Sequence, residues 1–301
     1  MQSVLVIGAT GDQGAAQVAA LRSAGYRTAG ATRDATRSCL PCGTPAVPLD
    51  LNDPASLGSA LAGFDTVFLN LPSASFSDPA VVIDGFRHFL RAAEGTGVAR
   101  VLFNASLYVG DEAKGYPAHD TRYQIVEELL ASRVAASAVC PVIFIENLMR
   151  GWALPVLRER RVLSYPHAEE LPVSWISLQD VARLMVAFAE DRSTIGRKFI
   201  VGGPEALRGP ETAAALTCAW GETVRFESLP VEAFAREMGS LFGGGERSAS
   251  ERITADLAAI YRWYNEARPS PFTVDMEALQ ARYRISLTTV YQWGLEHRLL
   301  A

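Results

Sequence analysis

The most constraining feature of the sequence is a glycine-rich turn close to its beginning. The turn comprises Gly8, Ala9, Thr10, Gly11, Asp12, Gln13 and Gly14. An apolar run from Val4 to Ile7 precedes it, and residues 13–24 follow with apolar side chains at helical spacing before Gly25. The first amides of a helix point outward and its dipole favours negative charge, so this order of elements indicates a site for a phosphate group.

The three glycines have different expected roles. Gly8 permits the tight turn, Gly11 lets the backbone approach a pyrophosphate, and Gly14 allows the helix to pack closely on the strand. Because the turn lies between a strand and a helix, the spacing predicts a dinucleotide site. An ordinary strand–turn–helix unit with well-placed glycines is the alternative.

Strand and helix patterns alternate through the first two thirds of the chain. The predicted strands cover residues 4–7, 26–31, 46–49, 66–69, 100–103 and 135–139, and the predicted helices 13–24, 54–62, 79–94 and 121–131. Continuous apolar strands that alternate with helices indicate a parallel sheet covered on both faces. The predicted fold class is α/β, a Rossmann-type doubly wound parallel sheet with a smaller, mainly helical C-terminal lobe.

The pattern loosens after about residue 145. Short predicted strands at 173–176, 198–201 and 223–226 alternate with helices at 181–190 and 211–219, and the chain from 231 onward is mostly helical with a joint at 242–246. We expect a nucleotide-binding core over residues 1–150, to which about 173–203 return, and a smaller substrate lobe over 151–301. The cofactor is expected along the carboxyl ends of the strands, in a cleft beside the lobe.

The end of the second predicted strand indicates which nucleotide is bound. An acidic residue there binds the free 2′-hydroxyl of NAD, whereas an arginine accommodates the 2′-phosphate of NADP. Arg33 occupies this position and Asp34 comes one place late. A guanidinium matches phosphate oxygens in a bidentate geometry, so NADP(H) is the favoured cofactor, with Arg33 as a solvated surface charge the alternative. Asp50 and Leu51 are placed to meet the adenine, although Asp50 could equally cap the next helix.

Composition argues against several classes of partner. The net charge is −5, so no basic surplus indicates nucleic acid, and no apolar run approaches the length of a bilayer span. Four cysteines in 301 residues do not form a disulfide framework, and we expect a cytoplasmic protein without a metal or a membrane anchor. Cys39 and Cys42 form a C-x-x-C, which is either an ordinary loop or a redox clip near the 2′-phosphate site. The oligomeric state is open, with a homodimer as one alternative.

Several segments together resemble a known family. They are Val6 to Gly14, Thr32 to Asp34, Asp50 to Asp53, Phe64 to Phe68, Val126 to Glu128, Phe144 to Leu148, Trp175 to Ala182, Gly202 to Glu205 and Leu287 to Trp293. Over nearly its whole length the chain resembles the NmrA-like family of atypical short-chain dehydrogenases. The resemblance implies the Rossmann fold and NADP(H). It implies two functional classes, reductases of quinones, dyes and similar acceptors, and dinucleotide-binding regulators without turnover.

The catalytic pair of typical short-chain dehydrogenases is missing. In that pair a lysine four residues after a tyrosine lowers the tyrosine pKa. The residue at that spacing after Tyr108 is Glu112, after Tyr123 it is Glu127, and no tyrosine in the sequence has lysine there. Many relatives carry a lysine or a histidine instead on the helix after the fifth strand, and the resemblance places either Tyr123 or His119 at that position.

Three residues are therefore candidates for proton transfer: Tyr123, Ser106 and His119. By resemblance Ser106 faces the nicotinamide, Tyr123 donates a hydrogen bond to a carbonyl or binds the ribose, and His119 acts as an acid near neutral pH. The alternatives are a turn-forming serine, a tyrosine at the edge of the core and a surface histidine. The resemblance implies further cofactor contacts from Asn70, Leu71, Pro72, Ala105, Pro141, Phe144 and Asn147. It implies an apolar substrate wall from Tyr108, Phe144, Leu148, Trp152 and Tyr165.

These observations support two hypotheses. The first is an NADPH-dependent reductase of a small, largely apolar carbonyl, imine, enone or quinone. The second is a non-catalytic NADP(H) sensor or transcriptional co-regulator, which the missing tyrosine–lysine pair favours.

Overall fold

The computed structural model describes residues 2–36, 40, 43–72 and 78–299. The chain divides into two compact units, one made of Met1–Pro141 and Leu178–Ile200 and the other of Val142–Ser177 and Val201–Ala301. Cys39 and Cys42 lie outside the described residues, so the C-x-x-C hypothesis stays a prediction.

The first unit is built on a seven-stranded parallel sheet. Its strands are β1 (Ser3–Ile7), β2 (Arg27–Thr32), β3 (Ala46–Pro48), β4 (Thr66–Asn70), β5 (Arg100–Asn104), β6 (Ala136–Pro141) and β8 (Arg197–Val201), in the spatial order β3-β2-β1-β4-β5-β6-β8. The order reverses at β1, which lies between β2 and β4. In doubly wound sheets ligands bind outside the carboxyl ends of the strands at such a switch point.

Helices cover the two faces of this sheet. They are α1 (Asp12–Ser23), α2 (Pro54–Leu61), α3 (Pro79–Thr96), α4 (Pro117–Leu130) and α6 (Leu178–Glu190). On one side α1 packs against α6, and on the other α3 packs between α2 and α4. Phe68, Phe86, Phe89 and Phe103 are fully buried. Burial of each such ring stabilises the fold by about 1.5–3 kcal/mol, which holds the strand ends rigidly.

The second unit is mainly helical. It contains a 3-10 turn (Ile145–Met149), α5 (Leu154–Arg160), α7 (Gly209–Trp220), α8 (Val231–Phe242), α9 (Arg247–Glu266), α10 (Glu277–Tyr283) and α11 (Val290–Glu296). A small parallel sheet pairs β7 (Val162–Tyr165) with β9 (Arg225–Ser228). The long helices α8 and α9 pack along each other, and α11 packs on α7.

The predicted fold class is confirmed, and most predicted elements lie within two or three residues of the observed ones. Two differences have physical causes. Helix α4 begins at Pro117, four residues before the prediction, with proline at an early helical position that suits it. Residues 173–176 form no strand, because Val173 bridges to Leu207 while Ile176 bridges to Phe144, so no single partner sustains a ladder.

Among the described residues, no helix combines the length and the apolar character needed to cross a membrane. The cytoplasmic location expected from the sequence stays a prediction.

Candidate active site

Two of the three turn glycines are required by the protein itself. Gly8 has a φ of +78°, and a Cβ there would stand 3.1 Å from the Cβ of Asn70. A Cβ on Gly14 would stand 2.2 Å from the carbonyl oxygen of Gly8, which no real contact allows. Gly14 therefore lets α1 pack directly on the turn that follows β1.

Gly11 is different, because the fold does not need a glycine there. Its φ is −87°, which any residue adopts, and a Cβ would meet only the carbonyl oxygen of Gly8 at an ordinary 3.6 Å. Gly11 is also the N-cap of α1. Because glycine has no side chain, the first turn of α1 has no side-chain cap. Backbone amides at the start of a helix without a side-chain cap suit the phosphate oxygens of a pyrophosphate, so the turn fits a dinucleotide.

Arg33 directly follows β2 at the same edge of the sheet. Its side chain is exposed, and no described residue pairs with its guanidinium. The neighbouring carboxylate, that of Asp34, is hydrogen-bonded within the same loop. Its Oδ1 accepts from Thr36 N at 3.1 Å and from Thr36 Oγ1 at 2.6 Å. One oxygen of the Asp34 carboxylate is therefore engaged within its own turn, whereas no described residue engages the Arg33 guanidinium.

Four side chains at the carboxyl ends of β4 and β5 and on α1 form a hydrogen-bonded amide network. Asn70 Nδ2 donates to the backbone oxygen of Ile7 at 2.9 Å, which leaves Asn70 Oδ1 to accept from Gln17 Nε2 at 2.9 Å and from Asn104 Nδ2 at 3.1 Å. Asn104 Nδ2 also donates to Gln13 Oε1 at 2.6 Å. The network ties the glycine turn to the strand ends that flank it.

The network fixes the direction of the Ser106 hydroxyl. The backbone N–H of Ser106 donates to Asn104 Oδ1 at 3.0 Å, so the other amide atom of Asn104 must be the donor to Gln13 Oε1. Gln13 Oε1 is then an acceptor, and the Ser106 hydroxyl donates to it at 2.8 Å. Ser106 thus offers lone pairs, not a proton, to a bound molecule. Its φ of +66° costs about 1 kcal/mol or more, which is typical of functional positions.

His119 is held in one tautomer. The Gly110 N–H donates to Nε2 at 3.1 Å, so the ring proton is on Nδ1, which contacts Asp120 Oδ1 at 2.8 Å. Although burial acts to raise the pKa of Asp120, hydrogen bonds from Lys114 N, His119 and Gly115 N hold it below its ordinary value. The ring is fully buried, so the alternative of a surface histidine is wrong, and the geometry favours a structural role in bracing the loop before α4.

Tyr123 lies one turn after His119 on α4, and the two rings stack with centroids 6.4 Å apart. Tyr123 is half-buried, and its hydroxyl has no hydrogen-bond partner among the described residues. Of the three proton-transfer candidates it alone keeps a donor that none of the described residues uses.

The sequence did not indicate Lys198, which β8 brings to the loop after β5. Its Nζ donates to the carbonyl oxygen of Gly110 at 2.5 Å and to Asp111 Oδ1 at 2.9 Å. Burial raises the pKa of Tyr108 above its ordinary value, although the charges of Lys114 and Lys198 act to lower it. A search for lysine four residues after a tyrosine cannot find a lysine that a distant strand brings close in space.

At the predicted adenine position, Asp50 Oδ1 accepts from Asn52 N at 2.9 Å. The alternative that Asp50 caps α2 is wrong, because Asp53 Oδ1 accepts from Ala55 N at 3.0 Å as the cap. Leu51 is half-buried. The other predicted cofactor residues of the first unit lie at the strand ends: Thr10, Asp12 and Pro72 are exposed, and Leu71, Ala105 and Pro141 are buried.

The second unit holds four of the five predicted substrate residues. Asn147 Nδ2 donates to the Tyr165 hydroxyl at 3.1 Å, and the Trp152 and Tyr165 rings lie 5.4 Å apart. Phe144 is buried and Leu148 is fully buried, so both contribute to packing. Contacts of Pro141, Phe144 and Asn147 with a cofactor stay predictions.

Trp152 and Tyr165 belong to a larger aromatic cluster. Its members are Trp152, Tyr165, His167, Trp175, Phe234, Tyr261, Tyr264 and Phe272, joined by ring contacts of 4.5 to 6.3 Å. His167 is only 3% exposed, and its Nε2 has no partner among the described residues. A buried polar group without a partner costs about 1–3 kcal/mol. Among the described residues, no three His, Cys, Asp or Glu side chains are grouped so that they could bind a metal ion.

Two curated relatives are reductases. One is an NAD(P)H azoreductase from Xenophilus azovorans, 28% identical over 233 residues that cover 76% of this chain and 78% of that protein. The other is a (4-alkanoyl-5-oxo-2,5-dihydrofuran-3-yl)methyl phosphate reductase from Streptomyces griseus, 31% identical over 231 residues that cover 76% of this chain and 78% of that protein.

Solved structures with the same fold include both functional classes. The triphenylmethane reductase from Citrobacter sp., complexed with NADP(H), superposes with a TM-score of 0.75 over 98% of this chain and 99% of that chain, at 18% identity. NmrA, a negative transcriptional regulator in complex with NAD, has a TM-score of 0.74 over 98% of this chain and 94% of that chain, at 12% identity. The sequence profile of the NmrA-like family matches residues 1–292, so the resemblance seen in the sequence is confirmed and the chain belongs to this family.

Proposed function

We propose that this chain is an NADPH-dependent reductase of a small, largely apolar carbonyl, imine, enone or quinone. The observation that carries the proposal is the pairing of an uncapped glycine turn with an exposed Arg33, whose guanidinium pairs with none of the described residues, at the carboxyl edge of the sheet. The reductase activity of two relatives that match three quarters of the chain supports the reaction class.

The residues of the first unit divide the work of holding the nucleotide. The amides at the start of α1 would hold the pyrophosphate, and Arg33 would hold the 2′-phosphate, whose oxygens its planar guanidinium matches. Asp50 and Leu51 would contact the adenine. Ser106, as an acceptor, suits the amide hydrogens of the nicotinamide carboxamide. When bound, the reduced nicotinamide supplies a hydride to the acceptor, and the protein contributes position and electrostatics.

The proton must come from a group that can release one. Ser106 is committed as a donor to Gln13, and His119 is braced between Gly110 and Asp120. The Tyr123 hydroxyl is the remaining side-chain candidate, with water as the other source. Positioning of the acceptor, rather than strong acid catalysis, then supplies much of the rate.

A second candidate function is a sensor that binds NADP(H) without turnover. The absence of lysine four residues after any tyrosine favours it, because the usual proton-transfer pair cannot form. Such a protein would bind NADPH and NADP+ with different affinities and would convert that difference into a change of partner.

Titration calorimetry tests the cofactor assignment. Arg33→Ala should weaken NADPH binding about tenfold, or about 1.4 kcal/mol, because one exposed charge-assisted contact is lost, and should leave NADH binding unchanged. Arg27→Ala is the matched control, because Arg27 is an exposed arginine at the opposite end of the same strand. Preference of the wild-type protein for NADH would overturn the NADP(H) assignment.

NADPH consumption with a panel of quinones, enones, imines and aromatic ketones tests the reaction class. We expect turnover with at least one class. Tight binding of both NADPH and NADP+ without any turnover would overturn the reductase and favour the sensor.

A further inference from the structure

The loop between β5 and α4 is held in its middle at Gly110. The Gly110 N–H donates to His119 Nε2 at 3.1 Å, and the Gly110 carbonyl oxygen accepts from Lys198 Nζ at 2.5 Å. Because Gly110 is buried, both of its backbone groups need partners inside the protein. His119 belongs to α4, the helix that the loop leads into, whereas Lys198 lies on β8, 88 residues along the chain. Of these two partners, Lys198 alone comes from outside the loop and its helix.

The surroundings of Lys198 show which of its contacts accounts for a lysine at this position. Its side chain is only 14% exposed, whereas that of its second partner, Asp111, is 95% exposed. An ion pair with so exposed a carboxylate contributes little, because water and salt screen it. The hydrogen bond to Gly110 reaches the carbonyl oxygen of a buried residue, and the ammonium charge strengthens it. The contact with Gly110 is therefore the main effect of this lysine on the loop.

Ser106 lies four residues before Gly110 in the same loop, and its conformation needs support from its surroundings. Its φ of +66° is in the left-handed region, which a serine keeps only where neighbouring contacts over-determine it. Asn104 and Gln13 hold its N–H and its hydroxyl at one end of this segment, and Gly110 is the fixed point at the other. Loss of the anchor at Gly110 would let the segment relax and reorient the Ser106 hydroxyl.

The Tyr108 ring depends on the same anchor. A Cβ on Gly110 would stand 3.1 Å from Tyr108 Oη, so the hydroxyl end of the ring lies against the Gly110 backbone. The ring centroids of Tyr108 and His119 are 6.1 Å apart. A shift of Gly110 would therefore disturb a predicted cofactor contact, Ser106, together with a predicted substrate contact, Tyr108.

We propose that Lys198 is a positioning residue for the nicotinamide end of the cofactor site. By holding the Gly110 carbonyl oxygen, it keeps Ser106 in the orientation that accepts the hydrogens of the carboxamide. This inference rests on the proposed function, in which Ser106 contacts the carboxamide, and adds the residue that holds Ser106 in place. The contacts proposed for the phosphates lie at the start of α1 and at Arg33, outside this loop, so they should not depend on Lys198.

Calorimetry with two ligands, NADPH and 2′-phospho-ADP-ribose, tests the inference without turnover. The second ligand has the same adenosine and phosphate groups but lacks the nicotinamide. Lys198→Met removes the hydrogen-bond donor and should weaken NADPH binding about tenfold, which corresponds to the loss of one hydrogen bond, while 2′-phospho-ADP-ribose binding stays within about twofold of wild type. Because both ligands carry the same phosphates, the loss of a positive charge alone would weaken both alike. Lys198→Arg keeps a charged donor and should restore part of the NADPH affinity.

Lys114→Met is the matched control, because Lys114 is the other lysine of the sequence and its Nζ donates to Glu112 within the same loop at 2.5 Å. It should leave both affinities within about twofold of wild type. If Lys198→Met weakens both ligands alike or neither of them, or if Lys114→Met has the same effect, the inference is overturned while the NADP(H) site stands. Wild-type protein that binds neither ligand would overturn the cofactor assignment and the inference with it. If Lys198→Met weakens NADPH alone but no acceptor is ever reduced, the inference stands and the reductase proposal fails.

Discussion

Gly11 and Gly14 should respond in opposite ways to the same added methyl group. At Gly14 the new Cβ would lie 2.2 Å from the Gly8 oxygen and 2.7 Å from the Ala9 Cα, both backbone atoms, so the helix must move by more than an ångström. Overpacking of this kind costs about 1–3 kcal/mol, and the helix propensity gained over glycine returns less than about 1 kcal/mol. Gly14→Ala should therefore destabilise the protein by about 2 kcal/mol.

At Gly11 the added methyl group meets only the Gly8 oxygen at 3.6 Å. The loss of unfolded-chain entropy stabilises by about 0.4–1 kcal/mol, and alanine is a poorer N-cap than glycine by a similar amount, so the unfolding free energy should stay within about 1 kcal/mol of wild type. The methyl group occupies the space in front of the α1 amides. Loss of one amide–phosphate contact, about 2 kcal/mol, corresponds to an NADPH affinity about thirtyfold weaker.

Urea denaturation without nucleotide and calorimetry with NADPH separate the two effects. Each variant acts as the control for the other, because both add one methyl group to the same turn. Wild-type affinity in folded Gly11→Ala would refute the assignment of the pyrophosphate to this turn. Wild-type stability in Gly14→Ala would refute the close packing of α1.

Variants at three further positions are tested by urea denaturation. Gln13→Leu removes the acceptor of the Ser106 hydroxyl and should lower the free energy of unfolding by about 1–3 kcal/mol. Gln13→Glu keeps an acceptor and should lower it less. Equal losses of unfolding free energy in the two variants would contradict the network. Asp120→Asn should lower the free energy of unfolding at neutral pH. Because the pKa of Asp120 is lowered in the folded protein, the difference in unfolding free energy from wild type should shrink as the pH falls below about 4. A difference that stays constant with pH would argue against the role of Asp120 in bracing the loop. Burial lowers the pKa of His167 in the folded protein. The free energy of unfolding should therefore be highest above the unfolded pKa of about 6.5 and fall by about 1.4 kcal/mol for each pH unit of acidification below it. His167→Leu should lack this dependence.

The architecture could be predicted because its signals are local. Continuous apolar strands, proline at helix starts and the glycine turn are each contained in a short stretch, and together they specify a parallel sheet and its switch point. The pairing of Val162–Tyr165 with Arg225–Ser228 could not be predicted in this way. Both strands have four residues and polar neighbours, and neither has a period that indicates its partner.

The sequence placed the candidate residues at one edge of the sheet, but it did not indicate the direction of their hydrogen bonds. The turn and the strand ends placed Gln13, Asn70 and Ser106 at one edge of the sheet, where the structure has them. Which of them donates depends on two backbone groups, the Ile7 oxygen and the Ser106 N–H, that orient the amides through a chain of contacts. The unpartnered nitrogen of His167 was equally hidden, because its ring neighbours Tyr261 and Phe272 come from much later in the chain.

The supply of protons should select among the proposed acceptors. Hydride addition to a simple ketone leaves a strongly basic alkoxide, which needs an acid, whereas addition to a quinone leaves a phenolate that aromatic delocalisation stabilises and water can protonate. Ser106 and His119 are committed to Gln13, Gly110 and Asp120, which leaves the Tyr123 hydroxyl of the three candidates, and no lysine four residues later assists it. We therefore expect kcat/KM for quinones to exceed that for aryl ketones of the same size by at least about 100-fold, which is the usual contribution of a general acid. Steady-state NADPH oxidation with matched pairs measures the ratio, and a ketone reduced as fast as its quinone would contradict the prediction and mean that Tyr123 acts as an efficient general acid without a lysine.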